Sequence, residues 1–168
     1  MILTVDIGNT IIAVGGFEGD MLAFVVRLAT NIKETSHEYA AKLDSILRLS
    51  DTETHSLTAA VISSVVPQLT GTIREALKIA FGIDALSVGP GVKTGINIHC
   101  DDPSSVGADL ICVSVAAAKK YGSPCIIVDM GTATKIIHLG KNGTFEGVAI
   151  LPGAEISLSA LADRTRPV

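Results

Sequence analysis

Asp6, Ile7, Gly8, Asn9 and Thr10 put a carboxylate, a residue without a side chain and two short hydrogen-bonding groups in one uninterrupted run. Phosphate binding needs backbone N–H groups in a tight concave turn that no side chain blocks. Gly8 gives that clearance, and Asn9 and Thr10 add short donors. Asp6 is suited to Mg²⁺, held directly or through water, because hard cations prefer oxygen ligands. An ordinary β-hairpin would choose Asn and Gly for turn geometry alone, so the run by itself leaves both readings open. Asp129-Met130-Gly131-Thr132-Ala133-Thr134 repeats the pattern late in the chain. Two such bends facing one another across a cleft would hold one triphosphate from both walls, and the repetition favours that reading.

A third candidate is Val106-Gly107-Ala108-Asp109, at the first turn of an expected helix. Exposed amides there favour an anion, and a carboxylate beside a substrate hydroxyl can serve as general base in phosphoryl transfer. Asp109 would equally well complement the helix dipole alone. The loop Gly89-Pro90-Gly91-Val92-Lys93-Thr94-Gly95-Ile96 offers Lys93 to an anion, although a lysine in such a loop is more often simply solvated. It is not a Walker A loop, since the spacing differs and no helix follows directly. His99-Cys100-Asp101-Asp102 lacks a second ligand pair at metal spacing and reads as a surface loop. His37, His55 and His138 are scattered, and Lys119-Lys120 reads as a solvated helix end.

The elements that must position these residues follow from hydropathy pattern and punctuation. Ile2–Asp6, Ile11–Phe17 and Met21–Leu28 read as strands of an antiparallel meander joined by glycine-containing turns. A helix is expected over Ser36–Leu49, capped by Ser36, with Tyr39, Ala40, Leu43, Ile46 and Leu47 on one face. A strand over Ala59–Val65, a proline-initiated helix over Pro67–Phe81 and a short strand at Ala85–Val88 complete a β-β-β-α-β-α-β unit. Three antiparallel strands before the first helix match the ribonuclease-H-like fold, whereas a Rossmann unit alternates from the outset.

Ile96–His99 is a further strand candidate, and Ser104 or Ser105 is expected to cap a helix reaching Tyr121. Then the opening pattern returns: strands at Ile126–Met130, Thr134–Leu139 and Thr144–Ile150, a turn at Lys141-Asn142-Gly143, and a helix over Ala154–Ala162. This is a duplication. The expected fold class is therefore α/β, a duplicated ribonuclease-H-like (actin-like ATPase) fold divided into residues 1–95 and 96–168. The second copy would still need a strand, a helix and a closing strand, and Asp163–Val168 is no natural end for it. The 168 residues alone are therefore expected to be inactive and to associate or to require a further segment.

Composition removes several classes. Apolar residues make up 48% of the chain, yet no apolar run approaches the roughly 20 residues a membrane span needs. A net charge of −4, aromatics at 4% and no tryptophan argue against a nucleic-acid partner. The N-terminus carries no basic leader or cleavage site, which points to the cytoplasm. Cys100, Cys112 and Cys125 lack metal or redox spacing and read as reduced thiols, the latter two in apolar surroundings.

Taken in order, DIGNT at 6–10, GPGVKTGI at 89–96, DDPSSVGAD at 101–109, VDMGTAT at 128–134 and LPG at 151–153 resemble the type III pantothenate kinases, related to the Bvg accessory factors. The resemblance implies an ATP-dependent kinase of the actin/sugar-kinase/Hsp70 superfamily that phosphorylates pantothenate, the first step of coenzyme A biosynthesis. By the same resemblance, Asp6, Ile7, Gly8, Asn9, Thr10, Ile11, Ile12 and Ala13 surround the ATP phosphates, with Asp6 near Mg²⁺, and Gly131 and Thr132 contact ATP. Gly107, Ala108, Asp109 and Leu110 line the pantothenate pocket, Asp109 is the general base, and Asp129 binds a monovalent cation, K⁺ or NH₄⁺. The family implies a homodimer. Three positions depart from the family pattern: Leu110 stands where arginine is usual, Lys135 where a threonine is usual, and Glu146-Gly147 where a glycine pair often occurs. Leu110 and Lys135 motivate an alternative, a non-catalytic or regulatory nucleotide-binding paralogue of the same fold.

Overall fold

The computed structural model describes residues 1–50, 56–89 and 91–164. Pro90, His55 and the closing Thr165, Arg166, Pro167 and Val168 lie outside the described residues. The chain forms two compact units, Met1–Pro90 and Gly91–Val168, dividing slightly ahead of the boundary expected at 95/96.

In the first unit, β1 (Ile2–Ile7), β2 (Ile11–Glu18) and β3 (Met21–Ala29) form the antiparallel meander. β4 (Ala59–Ser64) and β5 (Leu86–Ser87) extend it in parallel on the far side of β1, giving the order β3-β2-β1-β4-β5. Alternation decides which side is buried: Leu3, Val5 and Ile7 are closed off, while Ile2 and Asp6 on the opposite side are exposed. Helices α1 (Ser36–Leu49) and α2 (Pro67–Phe81) share that core through Tyr39, Leu43 and Leu47 and through Leu69, Ile73 and Leu77. Pro67 opens α2 as expected, and Gly82 closes it in the left-handed region at φ 69°.

The start of α1 differs from expectation. Thr35, not Ser36, is the cap: the Glu38 amide donates to Thr35 Oγ1 at 3.3 Å, and the Thr35 amide donates to Glu38 Oε2 at 2.7 Å. A capping box needs Glu three residues after the cap, which only Thr35 satisfies. Thr35→Ala is expected to lower stability by about 1 kcal/mol, read as a reduced urea midpoint at unchanged slope. An unmoved midpoint would mean that the helix start is held by other contacts.

In the second unit, α3 (Ala108–Tyr121) precedes an antiparallel sheet of β6 (Cys125–Met130), β7 (Ala133–Leu139) and β8 (Phe145–Pro152), and α4 (Ala154–Arg164) follows. The expected strand at Ile96–His99 does not form; a lone parallel bridge joins Ile98 to Phe145. Nor do Ser104 or Ser105 cap α3. Pro103–Ser105 is a short 3-10 turn capped by Asp102, and Gly107 takes the cap position of α3. The sheet's inner face packs Ile127, Ile137, Leu139 and Phe145 with Leu110 and Ala117 of α3. Its outer face leaves Ile126 61%, Val128 57% and Met130 75% exposed. Cys100, Cys112 and Cys125 form no disulfide, and each is half-buried rather than enclosed.

Candidate active site

The Asp6–Thr10 run is the bend between β1 and β2. Strand pairing ends at Ile7 with Ile12, and the Gly8 amide donates to the Ile11 carbonyl at 3.0 Å. A Cβ on Gly8 would lie 2.9 Å from that carbonyl oxygen, so the bend closes this tightly only around glycine. Thr30, just beyond β3, fastens the bend from outside. Its hydroxyl donates to the Gly8 carbonyl at 2.7 Å and its amide to the Thr10 carbonyl at 2.9 Å. The neighbouring Asn31 is pinned in turn, its amide donating to the Tyr39 hydroxyl at 3.0 Å and its carbonyl accepting from it at 3.0 Å. Two carbonyls of the bend are thus satisfied within the fold. Asp6 is exposed, and its Oδ1 accepts from Ser63 Oγ at 2.9 Å across the parallel β1–β4 pairing. This oxygen pair fits a hard cation such as Mg²⁺ that keeps most of its waters. Ile11 is exposed, Ile12 buried and Ala13 half-buried along β2.

The second bend is one residue shorter. Pairing ends at Met130 with Thr134, and the Gly131 amide donates to the Ala133 carbonyl at 3.2 Å. Gly131 and Thr132 are exposed at its tip. Gly153, between β8 and α4, packs against it, its amide donating to the Thr132 carbonyl at 3.1 Å.

Beside this bend the second unit gathers three charges. Asp129 of β6 and Lys135 of β7 are direct cross-strand partners on the inner face of the sheet. Asp109, in the first turn of α3, reaches the same place. Lys135 Nζ donates to Asp109 Oδ2 at 2.8 Å and pairs with Asp129 Oδ2 at 2.7 Å. The side chains of Lys135 and Asp109 are 19% and 20% exposed and that of Asp129 37%. Burial alone would lower the Lys135 pKa, but hydrogen bonds to Asp109 and Asp129 outweigh it and hold the ammonium above its ordinary range. The site therefore carries one fixed cation between two carboxylates.

Gly107 and Ala108 form the start of α3 around Asp109. Leu110 is 6% exposed and belongs to the inner core with Ile137, Leu139 and Phe145. Among the described residues no three His, Cys, Asp or Glu side chains gather as a metal site. No described helix is long and apolar enough to cross a membrane.

Three positioning residues are not apparent from the motifs. Thr30 and Ser63 act through strand pairings distant in sequence. Lys135 stands out only as a departure from the family pattern, although counting back from the bend places it opposite Asp129.

The family model described as Type III pantothenate kinase matches residues 2–168. The chain belongs to the type III pantothenate kinase family. Among curated members, the type III pantothenate kinase of Shouchella clausii (strain KSM-K16) is 42% identical over 165 residues, covering 98% of this chain and 64% of that protein. That of Geobacter sulfurreducens is 42% identical over 164 residues, with the same coverage of both chains. The chain thus spans just under two thirds of the length of these relatives.

Solved structures with lower identity share the family's fold. A protein described as a 2-dehydro-3-deoxygalactonokinase from Sinorhizobium meliloti superposes with a TM-score of 0.54 at 16% identity, covering 98% of this chain and 58% of that one. The Aquifex aeolicus Ppx/GppA phosphatase gives 0.51 at 15%, covering 99% and 56%. The expected actin-like ATPase fold class is borne out.

Proposed function

We propose that the complete protein transfers the γ-phosphoryl group of ATP to the 4′-hydroxyl of pantothenate, the entry reaction of coenzyme A biosynthesis, in the cytoplasm and as a homodimer. The observation that carries this reading is the family match over residues 2–168, and the two acidic glycine bends and the Gly107–Asp109 helix start, which resemble the family's motifs, support it. In this mechanism the bend of Asp6, Ile7, Gly8, Asn9 and Thr10, with Ile11 to Ala13, receives the nucleotide phosphates, and Gly131 and Thr132 make the second set of contacts. Asp6, steadied by Ser63, is the residue for the nucleotide's Mg²⁺. When bound, that ion would supply charge neutralisation on the phosphates.

Gly107, Ala108, Asp109 and Leu110 form the pantothenate side. Asp109 takes the proton of the 4′-hydroxyl as its oxygen bonds to the γ-phosphorus and the bond to the bridging oxygen of ADP breaks. Lys135 holds one Asp109 oxygen and so fixes the plane of the carboxylate. Incubating the complete protein with ATP and pantothenate, with and without potassium, is expected to yield phosphopantothenate by mass spectrometry. No product in either salt would overturn the reading.

The same Lys135–Asp109 contact favours a second reading, a nucleotide-binding paralogue whose base is neutralised. Calorimetry separates the two: the paralogue binds ATP without binding pantothenate.

A further inference from the structure

The family resemblance assigns Asp129 a free monovalent cation, and the residues around Asp129 do not fit one. Its Oδ2 is 2.7 Å from Lys135 Nζ, the same atom that lies 2.8 Å from Asp109 Oδ2. A lysine ammonium is a compact unit charge. A second monovalent cation at this carboxylate would sit within a few ångströms of that charge, where like charges repel by roughly 1–4 kcal/mol at the effective dielectrics of water and protein surfaces. The placement of the lysine is built in: cross-strand pairing with Asp129 fixes its backbone on the inner face, and α3 brings Asp109 to the other side of the amine.

We propose that Lys135 is a tethered replacement for the monovalent cation, so that this protein needs neither potassium nor ammonium at Asp129. Being part of the chain, the ammonium costs no translational entropy to bind. It supplies the same charge in the same position whatever the ionic composition of the medium. The inference rests on the kinase reading for its functional meaning, but cation binding tests it independently of turnover.

Thallium(I), a potassium surrogate, is titrated into the complete protein at constant ionic strength set by N-methylglucamine and followed by ²⁰⁵Tl resonance. The parent is expected to show no saturable shift. Lys135→Thr is expected to show one, and Lys135→Thr combined with Asp129→Asn to lose it. In parallel, the complete parent protein is expected to phosphorylate pantothenate equally in potassium and N-methylglucamine salts. The Lys135→Thr protein should fall about tenfold or more without potassium and recover with it.

A saturable thallium site in the parent that Asp129→Asn removes would overturn the proposal. So would a Lys135→Thr protein as indifferent to potassium as its parent. Should the variant fail to fold, the parent titration decides alone. Loss of activity in every salt would strike the kinase reading and leave the thallium result to judge this one.

Discussion

Gly153→Ala is expected to destabilise the second unit by about 1–3 kcal/mol or more, and Gly147→Ala in the same region to do no harm. The contrast follows from space alone. A Cβ on Gly153 would collide with the carbonyl oxygens of Gly131 and Thr132, and it would lie 2.9 Å from the Thr132 carbonyl carbon. All of these are backbone atoms, so no side chain can swing aside. The bend must open or β8 must withdraw, and either movement stretches the Gly153–Thr132 hydrogen bond. A Cβ on Gly147, within β8, meets nothing within 4 Å. There the alanine mainly restricts the unfolded chain, a small gain. Chemical denaturation of both variants beside the parent measures the difference. A Gly153→Ala protein as stable as the parent would show that the bend and the lead into α4 are not in the contact described.

Asp109→Asn is expected to reduce kcat in the complete protein by about 10²–10⁴-fold, with KM for ATP little changed. The substitution preserves shape, and an amide oxygen can still accept from Lys135, but an amide cannot take the hydroxyl proton. The fold should tolerate it, because Lys135 retains Asp129 at 2.7 Å and no buried charge is left alone. The split matters as much as the size: loss confined to kcat marks a group acting in the transition state. Turnover at the parental rate would remove Asp109 from the base role. Equal loss of kcat and ATP affinity would recast it as a structural support for the nucleotide side.

Both units illustrate what a sequence makes plain and what it hides. The meanders, the proline-led α2 and the duplicated bends are local features, set by alternation, turn residues and helix punctuation within a few positions. The errors lie where local signals are ambiguous. Ser36 and Thr35 are both plausible caps, and only the reach of Glu38 distinguishes them. Ile96–His99 has a strand-like composition, but only Ile98 pairs, and its partner Phe145 lies far along the chain. The Asp109–Lys135–Asp129 cluster is half legible. The hairpin register yields Lys135 and Asp129 by counting, whereas the arrival of Asp109 depends on how α3 lies across the sheet. Thr30 and Ser63 are hidden for the same reason: their partners Gly8 and Asp6 are brought near by pairing across a meander and a crossover.

In the first unit β1 is an interior strand, flanked by β2 and β4, whereas among the described residues its counterpart β6 is hydrogen-bonded to β7 only, with Ile126 and Val128 bare on its outer face. The asymmetry leaves the second sheet with an open margin where further strand pairing is possible. A strand laid parallel to β6, as β4 is to β1, would satisfy its unused amides and carbonyls, and a greasy helix behind it would roof the isoleucine and valine.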